Sequence, residues 1–189
     1  MSIPGLTISN LLAHGIIFAE GYSTADVVEQ DNNRGDQVDF FNKFALAPAG
    51  SSWCCSFVET CLGKAYLQLC NIALTRDMLI AHRDEFAQFF HLTASCEDLR
   101  QWAIRQGHYH RKEEGSPQCP CLVFFDFKAE GVAHHIGFVR SVALPYLATT
   151  EGNTPSQNVA KGQPKVNEAD GDGCHNRLRG LSTVLGYLY

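Results

Sequence analysis

Residues 47–65 read APAGSSWCCSFVETCLGKA, and the texture of the chain changes abruptly at Cys54. Small residues and Pro48 break the segment up to Trp53. From there, Cys54, Phe57, Val58, Cys61 and Ala65 fall on one stripe at helical spacing. The spacing predicts a helix opening at Cys54, with Ser51 or Ser52 as its N-cap. Upstream, LTISNLLAHGIIFAEG (6–21) and DQVDFFNKFAL (36–46) predict helices separated by the polar turn EQDNNRGD (29–36). Downstream, helices are expected over Arg76–Phe90 and over Glu97–Gln106, the latter capped by Ser95. After Gly107 the pattern turns to strands: LVFFDF (122–127), HIGFVRSVAL (135–144), LATTEGNT (147–154) and TVLGYLY (183–189), with a loop over 154–176. Helices first and strands second predict an α+β fold. No linker or repeat interrupts it, so one domain over residues 1–189 is expected.

Composition sets the outer limits. The chain has 189 residues, 45% hydrophobic and 19% charged, with a formal net charge of -5. That apolar fraction excludes wholesale disorder. Only 15 Lys and Arg argue against a nucleic-acid partner, which needs a concentrated basic face. No run approaches the roughly 20 apolar residues of a membrane span, so no membrane insertion is expected. The N-terminus lacks a basic n-region and is interrupted by Asn10, His14 and Glu20, so it does not read as a secretory signal. Eight cysteines are many for this length, yet a chain of this size needs no disulfide staple, and a reduced state is expected.

Cys54 follows a small-residue loop and opens a helix, where unpaired N–H groups and the helix dipole favour an anion. That placement predicts a lowered thiol pKa and a nucleophile opening onto a cleft; the plainer reading makes Cys54 the first member of the core stripe. Cys55 points about 100° away around the helix and reads as structural, and Cys61 as core. If 135–144 and 147–154 pair around the Leu144–Pro145 turn, partner numbers sum to about 289. His135 then lies opposite Asn153 or Thr154, with Glu151 one diagonal step away and on the same face as Asn153. An imidazole beside a carboxylate and an amide is the general logic of an oriented base. His134 would face the other side of the sheet. His108, His110, Cys119 and Cys121 form no metal clip, because Cys-Pro-Cys is tighter than C-x2-C and no second clip follows. The acidic clusters at 31–36 and 168–173 lack EF-hand spacing and read as solvated turns. No cofactor or metal is expected.

Together these blocks carry a resemblance. GSSWCCSFVETC (50–61) resembles the cysteine-bearing helix start of CHAP domains, within the NlpC/P60 group of papain-like cysteine hydrolases; Phe57 and Val58 match the aromatic-aliphatic pair that follows Trp-Cys. HIGFV is similar to the family's His-Val/Ile-Gly strand, TTEGNT to its Glu-Gly-Asn strand, EQDNNRGDQVDFF (29–41) to its acidic helix lead-in, and VLGYLY to its last strand. The likeness spans about residues 20–189, with the three active-site blocks in the family's order. One departure is Cys119-Pro120-Cys121, where the family usually has Pro-Gly-Asp before the Val-Phe-Phe strand.

The resemblance implies a papain-like fold with Cys54 as nucleophile, His135 as base and then acid, Glu151 as orienting group and Asn153 as a fourth polar member. Trp53 would line the substrate cleft or act as a packing staple at the helix entry. The implied reaction is amide hydrolysis through a thioester acyl-enzyme, with the Cys54 N–H in the oxyanion hole and a peptidoglycan peptide as substrate. A lysin or an antibacterial effector acting in the periplasm or wall after non-Sec release fits the missing signal; an effector would have a cognate immunity protein as partner. The alternative is an amidase or acyltransferase acting on a small cytoplasmic amide or thioester. A binding module without catalysis is the third reading.

Overall fold

Thirteen of the sixteen residues of helix α3 (Cys54–Leu69) are buried, polar Ser56, Glu59 and Thr60 among them. A helix enclosed nearly all round sits inside the other elements rather than on the surface. Around it lie α1 (Ile8–Thr24), α2 (Asp36–Phe44), α4 (Arg76–Ala81), α5 (Arg83–Phe89) and α6 (Cys96–Gln106). Among the described residues six strands follow: β1 (Tyr109–Arg111), β2 (Cys121–Phe125), β3 (His135–Ala143), β4 (Tyr146–Thr154), β5 (Gly173–Gly180) and β6 (Val184–Leu188). They form one antiparallel sheet in the order β1-β6-β2-β3-β4-β5. The computed structural model describes residues 6–155 and 172–189, and the architecture is α+β.

Several local expectations are met and several are corrected. Ser95 caps α6 through its hydroxyl to the Asp98 N–H, and Gly107 closes that helix in the left-handed region at φ 75°. The helix expected over 76–90 is two, α4 and α5, parted at His82. Neither Ser51 nor Ser52 caps α3; Trp53 holds the cap position and no side chain bonds the first turn. The loop expected over 154–176 is cut short by β5, which opens at Gly173, and β1 was not anticipated. Most of that loop, and residues 168–171 of the second acidic cluster, lie outside the described residues.

The sheet carries apolar residues on both faces, which is why β2 reads as a continuous hydrophobic run rather than an alternation. Leu122 and Phe124 join the main core with α1, α2 and α3. Cys121, Val123 and Phe125 join a second cluster with Val139, Leu147, Val184 and Tyr187, to which no α-helix among the described residues contributes. Pairing of β3 with β4 starts at Ala143–Tyr146 and keeps a partner sum of 289 to Ser141–Ala148. A bulge at Arg140 then shifts the sum to 288 at Val139–Thr149 and Phe138–Thr150.

Candidate active site

The fold delivers Cys54, His135 and Glu151 to one place from three elements. Cys54 is the first residue of α3. Its position is fixed from behind by Trp53, which is fully buried, stacks on Phe41 at 5.6 Å and donates its indole N–H to Glu29 at 2.7 Å. Trp53 is therefore a core anchor, and the cleft-lining role expected of it is replaced by packing. The α3 entry also leans on β4 at Gly152, where an added Cβ would meet the Phe57 ring at 2.5 Å and Trp53 at 2.8 Å. The glycine of the Glu-Gly-Asn block is thus required by close approach of helix and strand.

His135 opens β3 and is completely buried. Its Nε2 bonds Glu151 Oε2 at 2.8 Å. The carboxylate reaches the ring by lying over Gly137, whose absent Cβ would stand 2.6 Å from Glu151 Cγ. The second apolar cluster forms the floor: the His135 ring centre lies 6.0 Å from Phe125 and 5.7 Å from Phe127. Nδ1 makes no hydrogen bond among the described residues, while the Cys54 thiol and Glu151 both act electrostatically on the ring.

Arg179 completes the sheet side of the site and was missed from sequence. Its guanidinium grips Glu151 as a fork, Nε to Oε1 at 2.9 Å and Nη2 to Oε2 at 2.6 Å, and donates to Thr154 Oγ1 at 3.0 Å. It sits 5.6 and 5.1 Å from the ring centres of Phe125 and Phe127. Thr149 adds a hydroxyl donor to Glu151. With four donors on two oxygens, a fully buried carboxylate is satisfied as an anion. The one available signal was the two-residue spacing of His175, Arg177 and Arg179 in CHNRLRG, a strand pattern that begins in the expected loop and runs past its end at 176.

Asn153 does not share in this network. It occupies the bulge between the Glu151–His175 and Thr154–Gly173 pairs, in the left-handed region at φ 52°. It is buried, and neither amide atom has a hydrogen-bond partner among the described residues. Orientation of the imidazole falls to Glu151, and the contribution expected from Asn153 is not seen.

Burial opposes charge on His135, but the Cys54 thiol and Glu151 outweigh it, and the ring's pKa is pushed up to about 9. Burial likewise acts upward on Glu151, but Arg179 and His135 reverse it and hold the carboxyl well below its usual range. Cys54 runs against expectation. The Cys96 thiol and burial push its pKa well above the ordinary thiol value, against a downward pull from His135. Cys54 is also 4% exposed rather than open to a cleft. The Cys96 sulfur lies 3.4 Å from it. Two cavities elsewhere, about 460 Å³ beside β1 and β6 and about 300 Å³ between α2 and α4, include none of the three residues.

Chemically, the arrangement offers a sulfur nucleophile at an uncapped helix start, an oriented base and a locked carboxylate. Among the described residues no group of three or more His, Cys, Asp or Glu is placed to hold a metal ion, and no helix is long and apolar enough to cross a membrane. No protein-family model, curated protein or solved structure gives a significant match to the chain.

Proposed function

We propose that the chain is a papain-like cysteine amide hydrolase of the NlpC/P60–CHAP type, with Cys54 as nucleophile, His135 as base and then acid, and Glu151 as the orienting group. The observation that carries this reading is the His135 ring, bonded through Nε2 to Glu151 at 2.8 Å, coupled electrostatically to the Cys54 thiol, and left with Nδ1 unbonded among the described residues. Nucleophile, base and orienter within reach of one another are the signature of nucleophilic catalysis.

The steps follow from those groups. His135 takes the Cys54 proton as sulfur attacks a carbonyl carbon. The developing oxyanion meets the N–H of Cys54, available because no side chain caps α3. The imidazolium protonates the leaving amine, the acyl group stays on sulfur as a thioester, and water activated by His135 releases it. Arg179 keeps Glu151 ionised throughout.

The resemblance of the three sequence blocks favours peptidoglycan as substrate, cut at the muramoyl–L-alanine bond or within the peptides, by a lysin or by an effector with a cognate immunity protein. One observation favours the second reading, an amidase or acyltransferase on a small amide or thioester: a thiol only 4% exposed admits a short acyl group more readily than a wall strand. Incubation of reduced protein with purified sacculi, followed by mass analysis of soluble fragments, separates the two. Muropeptides released by the wild type and not by Cys54→Ala support wall cleavage. Absence of release together with Cys54-dependent turnover of small amides supports the second. No Cys54-dependent hydrolysis of either substrate class overturns the proposal.

A further inference from the structure

Cys96 is the first residue of α6, as Cys54 is of α3, so two helix N-termini bring a cysteine each to the same point. Their sulfurs are 3.4 Å apart, with Cys96 6% and Cys54 4% exposed. The approach is held on both sides. Glu59 on α3 accepts the Thr93 N–H at 2.6 Å, Thr93 accepts the Ser95 N–H at 3.1 Å, and Ser95 caps the helix that Cys96 opens. On the next turn, Glu97 accepts the Ala133 N–H at 2.8 Å and so ties α6 to the loop entering β3. The amide hydrolysis proposed above gives Cys96 no part.

We propose that Cys54 and Cys96 form an oxidative modification site, in which Cys96 resolves the oxidised Cys54 sulfur as an intramolecular disulfide. The oxidant is a peroxide. Once one proton has left the Cys54–His135 pair to solvent, the Cys54 sulfur attacks one peroxide oxygen as a thiolate beside the protonated ring: an S–O bond forms, the O–O bond breaks, and the released hydroxide leaves as water with the His135 proton. The sulfur of Cys96 then attacks the sulfenic acid: the S–S bond forms, the S–O bond breaks, and the hydroxyl leaves as water with the Cys96 proton. Two thiols and one hydrogen peroxide give one disulfide and two waters, the sulfurs losing two electrons and the peroxide gaining them. A disulfide holds its sulfurs roughly 2 Å apart, so its formation closes the 3.4 Å gap between the two. Without a resolving thiol, a sulfenic acid proceeds to sulfinic and sulfonic acids, which are not recovered by thiols.

The disulfide rests on the sulfur pair alone; its effect on hydrolysis rests on the function proposed above. The test treats the reduced full chain with hydrogen peroxide and maps the peptides without reduction. The expected product is the Cys54 peptide joined to the Cys96 peptide, reversed by dithiothreitol, while Cys96→Ser accumulates sulfinic acid at Cys54 instead. Thiol loss in the wild type without that linked pair, or equal sulfinic acid at Cys54 in both proteins, overturns the proposal. In parallel, peroxide should abolish any Cys54-dependent hydrolysis of the wild type and dithiothreitol restore it. If the linked pair forms but reduced protein hydrolyses nothing, the hydrolase reading fails and the modification site stands.

Discussion

Through Nε2 His135 joins a web of buried charge; through its electrostatic coupling to Cys54 it borders a pocket of sulfur. The first contains Glu151 and Arg179 with hydroxyls from Thr149 and Thr154, every Glu151 oxygen bonded. The second contains Cys54, Cys55 and Cys96 with Glu59, where the thiols and the carboxyl are all pushed towards their neutral forms. Burial is equally complete on both sides, so burial does not decide which groups stay charged. The decisive factor is whether strong donors stand ready for the anion: Glu151 has a guanidinium fork, whereas Glu59 has one backbone N–H and a long, weak contact from the Cys55 thiol at 3.9 Å, and its Oε2 has no partner among the described residues.

The comparison makes the proton position testable. Because His135 is pushed up to about 9, the ring keeps its proton at neutral pH while Cys54 stays a thiol. Removing one proton from the pair generates the nucleophile, so hydrolysis should rise about tenfold per pH unit below about 9 and level off above it. A profile flat from pH 6 to 9 would sink this account. The same shift bears on stability. The charged ring stabilises the fold fully below its unfolded value near 6.5, and that contribution is lost as pH rises through about 9. Glu151 acts in the opposite sense: its contribution is present above its unfolded value near 4.5 and is lost as pH falls through the lowered folded value.

Breaking the charged side should cost more than breaking the sulfur side. Arg179→Met leaves an anion buried without its fork and should lower stability by about 3–5 kcal/mol, with Glu151→Gln in the same chain recovering part of it; chemical denaturation of the single and double variants measures both. Gly152→Ala attacks the junction of the two sides, where the new methyl meets the Phe57 ring, and should cost about 1–3 kcal/mol while displacing Cys54 from His135, read as a fall in kcat. Glu59→Gln should change stability by less than about 1 kcal/mol, because the amide replaces a carboxyl already disposed to be neutral and keeps the acceptor for Thr93. A loss comparable to that of Arg179→Met would mean that Glu59 is an anion after all.

Residue order and periodicity carried the α+β class, α3 from Cys54 and the pairing of β3 with β4, because each is a local pattern whose period is 3.6 or 2. They carried the Cys54, His135 and Glu151 blocks for the same reason, since Cys54 opens α3, His135 opens β3 and Glu151 lies within β4, all elements that pattern reveals. They did not carry β5, where hydropathy points the wrong way: Leu178 is 58% exposed and Arg179 is 5% exposed. An arginine is inside because Glu151 on β4, Phe125 on β2 and Phe127 just beyond β2 wait for it, and nothing within CHNRLRG records that. Nor did sequence bring Cys96 to Cys54 across 42 positions, or remove Asn153 from the imidazole by a bulge. Spacing along the chain fixes which residues share a face; which buried charge or sulfur finds its partner depends on contacts between faces, and these exist only once the elements have packed.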